Sequence, residues 1–260
     1  MVHIKTNIFS KTKDKFITSL FGLPLHKLHT SCGDSPEKNY NRELQDIYWE
    51  ARALHFYPRE TAEVKKKGLK GEDVFWEARA LNECPKEYLE ALQRGLKGKD
   101  AFLEAEARHY YPDEFTVAKN KGLSGKRAFL EAEATHYYPD EYEEAGRKGL
   151  TGEARYWEAK AMHLYPIEYK EVSEMGSKGE DAYWEARALH LFDSGYWVAK
   201  KRGLDGKDVF LEAAAMKLFP EEYKLAKTAG LRSDAAYMEA EAMHNYPKEL
   251  FAIKQNKYKK

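Results

Sequence analysis

The sequence predicts an all-α protein, an α-solenoid of eight 27-residue two-helix repeats with an N-terminal cap. Three observations carry this. Trp49, Trp76, Trp157 and Trp184 are separated by 27, 81 and 27 residues, which sets a common step of 27. Glu50, Glu77, Glu104, Glu131, Glu158, Glu185, Glu212 and Glu239 follow that step without interruption. Proline and glycine recur at fixed offsets inside each step, where a helical hairpin needs its breaks. The repeat array spans 46–260, and residues 1–45 form an N-terminal extension or capping segment outside the period.

Numbering each unit 1 to 27 from Asp46 makes the unbroken glutamate position 5. Positions 1 to 12 hold good helix formers and no Gly or Pro, so they read as helix A. Position 13 is Pro58, Pro85, Pro112, Pro139, Pro166, Pro220 or Pro247. Proline disfavours helix in the residue before it and suits the first turn of a new helix, so helix B begins there. Helix B ends on basic residues and then Gly68, Gly95, Gly122, Gly149, Gly176, Gly203 or Gly230, a left-handed cap usually followed by leucine. A second glycine at position 26 keeps the link to the next helix A short. Unit six replaces the proline segment with Asp193, Ser194 and Gly195, so Asp193 or Ser194 is expected to cap its helix B.

Two such short helices cannot bury enough surface alone, so units must stack. At about 8 to 10 Å between packed helices, eight units would make a curved rod about 70 to 80 Å long. The last unit loses its glycines and ends in lysines, as a solvent-facing terminal unit would. In general plan the units resemble tetratricopeptide and Sel1-like arrays. Those repeats are longer and their motifs do not match, so no functional residue is carried across.

Helix A is apolar on most of its circumference, as a helix between two neighbours is. The remaining sector holds positions 7, 10 and 11. Position 7 reads Arg52, Arg79, Glu106, Glu133, Lys160, Arg187, Ala214 and Glu241; position 11 reads Phe56, Glu83, Tyr110, Tyr137, Leu164, Leu191, Leu218 and Asn245. Four apart on a helix, they share one stripe. A stripe that changes chemistry on a constant scaffold is the candidate partner-binding surface, against a plain reading as solvent-facing drift. Trp197, beside Gly195, is a further candidate anchor.

The position 5 glutamates fall between apolar positions, so they need buried donors. Expected donors are tyrosine hydroxyls at positions 12 or 16, the position 4 indole, or amides starting the next helix. Eight copies of one acid suit packing rather than catalysis. Position 10 carries His55, His109, His136, His163, His190 and His244. About 10 Å between neighbouring helices keeps two rungs from sharing one zinc, so the expectation is helix-end histidines serving late carbonyls, favoured by the dipole.

Lys+Arg 43 balances Asp+Glu 43, which removes the simplest electrostatic case for nucleic acid or an anionic membrane. The charge separates by helix, however: the A halves sum to −9, the B halves to +6 and residues 1–45 to +3. Lys65, Lys66, Lys67, Lys200, Lys201 and Arg202 are the densest basic clusters. Two cysteines make no disulfide framework and no zinc spacing, and no apolar run is long enough to span a bilayer. No catalytic motif, metal set or cofactor loop is present. The expectation is a cytoplasmic, non-enzymatic scaffold that binds a protein or extended peptide along the groove of successive A helices. The alternative is modular single-stranded nucleic-acid (RNA) binding through helix B lysines. Residues 1–32, basic and acid-poor, have the composition of an organelle leader but no arginine; Phe16 to Leu28 reads as a capping helix, and Ser31 to Asn41 as a polar linker.

Overall fold

A computed structural model describes residues 36–258. The expected leader and capping helix lie outside the described residues. Within them the chain is helical, with no strand. In chain order the helices are α1 (Pro36–Phe56), α2 (Pro58–Lys66), α3 (Glu72–Glu83), α4 (Pro85–Gln93), α5 (Gly98–Tyr110), α6 (Pro112–Asn120), α7 (Lys126–Tyr137) and α8 (Pro139–Arg147). They continue as α9 (Gly152–Leu164), α10 (Pro166–Glu174), α11 (Gly179–Lys201), α12 (Gly206–Leu218), α13 (Pro220–Thr228), α14 (Ser233–Asn245) and α15 (Pro247–Tyr258). Helix α1 starts at Pro36, so residues 36–41, expected as linker, are helical.

The punctuation acts as the sequence predicts. Each proline is the first residue of a helix B, and the residue before it takes a non-helical conformation, as at Tyr111 (φ −132°, ψ 54°). At the other end, the Leu96 amide donates to the Ala91 carbonyl at 3.2 Å across left-handed Gly95 (φ 89°), closing a Schellman motif. Unit six is a correction. No side-chain cap starts its helix B; instead Phe192 keeps the same backbone break (φ −142°, ψ 40°) without a proline. Packing imposes the geometry there: Phe192 lies against the core cluster of Val172, Leu189 and Val209.

Helices α1, α3, α5, α7, α9, the first half of α11, α12 and α14 each pack on the next A helix, whereas successive B helices do not pack on one another. The A helices therefore form an inner layer. Each B helix lies outside, against its own A helix and the following one.

The expected open rod is overturned. Both α14 and α15 pack against α1, and Ile47, Tyr48 and Ala51 share a core with Ala242, Met243, Tyr246 and Leu250. Gln45 donates to Asp234 at 2.9 Å across the same seam, and Leu44 is buried with Phe219 and Leu231. The array closes into a ring, and the last helix pair is an interior member rather than a solvent-facing end. The rotation from unit to unit accumulates into curvature in any solenoid; here it is large enough to complete the circle.

Candidate functional site

The position 5 glutamates are the ring's buried polar ladder. Glu104 is fully buried and accepts from Arg94 of the preceding unit at 2.9 Å and from Lys119 at 3.4 Å. It also accepts from the Gly125 amide at 2.6 Å. The pattern recurs at Glu185, which takes the Gly206 amide (2.8 Å), the Tyr196 hydroxyl (3.2 Å) and Lys200 (3.3 Å). The position 16 hydroxyls and the glycine amides are two of the expected donors. The indoles are not: Trp76, Trp157 and Trp184 donate to Glu72, Glu153 and Glu180 one turn back. The lysine and arginine donors were missed. Lys65, Lys67, Lys121, Lys227, Lys254 and Arg202 all pair with ladder carboxylates, so much of the basic charge at helix B ends is neutralised inside the fold.

The position 10 histidines also act differently from expectation. Each directs Nδ1 at the position 15 glutamate of the preceding unit: His136 at Glu114 (2.9 Å), His163 at Glu141 (3.0 Å), His190 at Glu168 (2.8 Å) and His244 at Glu222 (3.3 Å). His109 lies 3.6 Å from Glu87. The position 12 ring of that preceding unit packs against the imidazole, as Tyr111 does on His136 with centroids 5.1 Å apart. His55 makes the same clamp across the closing seam, with Glu249 at 3.3 Å and Tyr246 at 5.0 Å. The hydrogen bonds hold the Glu114 carboxyl below its ordinary range.

The candidate stripe divides in two. Position 7 residues are half-buried or buried, and most of the charged ones engage acids, bases or tyrosine hydroxyls along the inner helices. Arg79 donates to Glu106 at 3.3 Å and to Glu83 at 3.0 Å, and Glu83 also takes the Tyr57 hydroxyl at 2.9 Å. Lys160 and the Tyr156 hydroxyl both donate to Glu133 at 2.9 Å. Tyr48 and Tyr246 donate to Glu241, each at 3.1 Å, and Arg52 donates to the Tyr48 hydroxyl at 2.9 Å. The cations lie over aromatic faces of the next unit: Arg52 over Phe75 (5.1 Å) and Arg79 over Phe102 (4.6 Å). Ala214 is buried and carries no polar group.

Position 11 lies at the C-terminal end of the inner helices. Phe56, Tyr110, Tyr137, Leu164, Leu191 and Leu218 are 46–54% exposed, and Asn245 is exposed beside them. Closure turns this row into a rim. Trp197 is not part of it: at 40% exposure it stands on the B half of α11, on the outer layer with Leu89 and Val117.

No family model matches this chain, and no curated protein matches it.

Among the described residues no three metal-ligating side chains converge, and no helix is long and apolar enough to cross a membrane. Cys84 is buried, and burial pushes its thiol up to about 12.

Burial strongly alters the proton affinity of Glu106 on the inner wall. Burial outweighs Arg79, whose guanidinium is shared with Glu83, and the carboxyl rises to about 7 from its ordinary 4.5. Between these values the folded state holds a proton that the unfolded chain has lost. Stability therefore falls as pH rises through that window, by up to about 3 kcal/mol. Glu106→Gln should melt higher than the parent at about pH 8 and match it at about pH 4; thermal melts across pH check this.

Proposed function

We propose that the protein is a non-catalytic binding ring of eight two-helix units, which holds a protein or an extended peptide on the rim at the C-terminal ends of its inner helices. The observation that carries this reading is the row Phe56, Tyr110, Tyr137, Leu164, Leu191 and Leu218, large apolar side chains left half in water on one edge. Contiguous apolar exposure of this kind marks interaction surfaces. The partner lies over the rim rather than along the concave groove of an open rod, because the inner wall at position 7 is occupied by its own ion pairs and hydrogen bonds. A cytoplasmic, reducing setting is part of the proposal and rests on cysteine usage alone.

Single-stranded nucleic acid is the second reading, and the cations meant for it weaken it. Lys65, Lys67, Lys200 and Arg202 are engaged by the glutamate ladder, which leaves Lys66 and Lys201 as isolated exposed charges. Affinity capture from native lysate separates the two. Wild-type protein should retain a protein partner that a combined Tyr110→Ser, Tyr137→Ser and Leu164→Ser variant loses, with little dependence on salt. Retention of RNA that weakens steeply as salt rises would favour the second reading.

A further inference from the structure

Three adjacent inner helices, α9, α11 and α12, share one difference from the rest of the ring, and the junction between α11 and α12 adds a second, independent one. Their rim residues Leu164, Leu191 and Leu218 are all leucine, whereas the remaining positions carry aromatic, acidic or amide groups. Charge is also unbalanced where α11 meets α12. Elsewhere on the inner wall each base meets an acid: Arg79 meets Glu106, Lys160 meets Glu133, and Arg52 reaches Glu241 through the shared Tyr48 hydroxyl. Arg187 meets none. The next position 7 residue is Ala214, and the guanidinium is left with one long hydrogen bond, Nη1 to the Tyr183 hydroxyl at 3.5 Å. Its Nε is buried without a partner. The plane lies over Phe210 at 4.7 Å and Trp184 at 5.5 Å.

The histidine clamp fails at the same junction. Gly195 stands where other units place glutamate, and a side chain there would meet the Ala213 backbone and side chain at 3.1 Å. Lys217 stands where most units place histidine, exposed and without an ion pair among the described residues.

Resting on the rim-binding reading, we propose that Leu164, Leu191 and Leu218 with Arg187 and Lys217 form the docking sector, and that its occupant is a peptide segment carrying carboxylate side chains between apolar ones. The leucines accept the apolar side chains. Arg187, planar, weakly hydrated and short of an acceptor, takes a carboxylate through charge-assisted hydrogen bonds. Lys217 adds a second positive charge at the edge of the same sector.

The test uses fluorescence anisotropy with the full chain and two labelled, end-blocked peptides, one alternating leucine with glutamate and one alternating leucine with lysine. The glutamate peptide should bind at least tenfold tighter. Arg187→Gln should remove most of that preference and Arg187→Lys should keep part of it, which separates lost charge from lost fold. Leu191→Ser should weaken the glutamate peptide severalfold, and Leu89→Ser on the outer layer should leave it unchanged. Failure of the glutamate peptide to bind, equal affinity for both peptides, full binding by a folded Arg187→Gln variant, or displacement by a single-stranded RNA oligomer would overturn the proposal. Weakening by Tyr110→Ser without any by Leu191→Ser would overturn the sector while leaving the rim reading intact.

Discussion

Glu104→Ala should be among the most damaging single substitutions in the ring, with an expected loss of about 3 to 5 kcal/mol. The carboxylate is fully buried, and its removal strands Arg94, Lys119 and the Gly125 amide at once. An uncompensated buried donor is worse than none, so the loss exceeds that of an ordinary surface ion pair. Glu104→Gln keeps the shape and one acceptor and should fall between parent and alanine. Denaturant unfolding of the three proteins gives the order; an alanine variant within about 1 kcal/mol of the parent would contradict a ladder that holds units together.

The closing seam makes the second large prediction. Leu250 in α15 is fully buried against α1, and Leu250→Ala should cost about 2 to 5 kcal/mol, as an interior leucine does. In an open array the last helix frays, and substitutions there are mild. Hydrogen exchange offers the companion measurement: amides of α14 and α15 should be protected as strongly as those of α7. Rapid exchange in α15 together with a neutral Leu250→Ala would mean that the seam does not hold in solution.

Helix bounds were legible because they depend on local chemistry. Pro112 cannot continue a helix, and left-handed Gly95 ends one, whatever surrounds them. The burial of Glu104 was legible too, since its wheel position lies between apolar ones. Of its partners, the Gly125 amide at the next helix start was legible, but Arg94 of the preceding unit and Lys119 were not, because they depend on how the helices pack. Closure was harder still: the turn at each junction is set by how neighbouring helices pack, and no motif encodes it. A trace was nevertheless present. Tyr246 and Glu249 in the last unit, and His55 in the first, retain the clamp residues of interior junctions, although true ends would have no use for them. Reading those three residues as one broken contact would have predicted the circle. On the candidate surface, the exposure of Tyr110 and Leu164 followed from the stripe, but the mutual pairing of Arg79, Glu106 and Glu133 did not, since it depends on how closely neighbouring helices approach.

A seam between α15 and α1 also bears on how such a protein could change by tandem duplication. Open arrays gain or lose a copy at little cost, because each member touches only two others and the tail is free. Here an added copy has nowhere to go unless every junction flattens together, so copy number behaves as a fixed quantity, and length variation should be confined to the connecting turns and to the chain beyond α1 and α15.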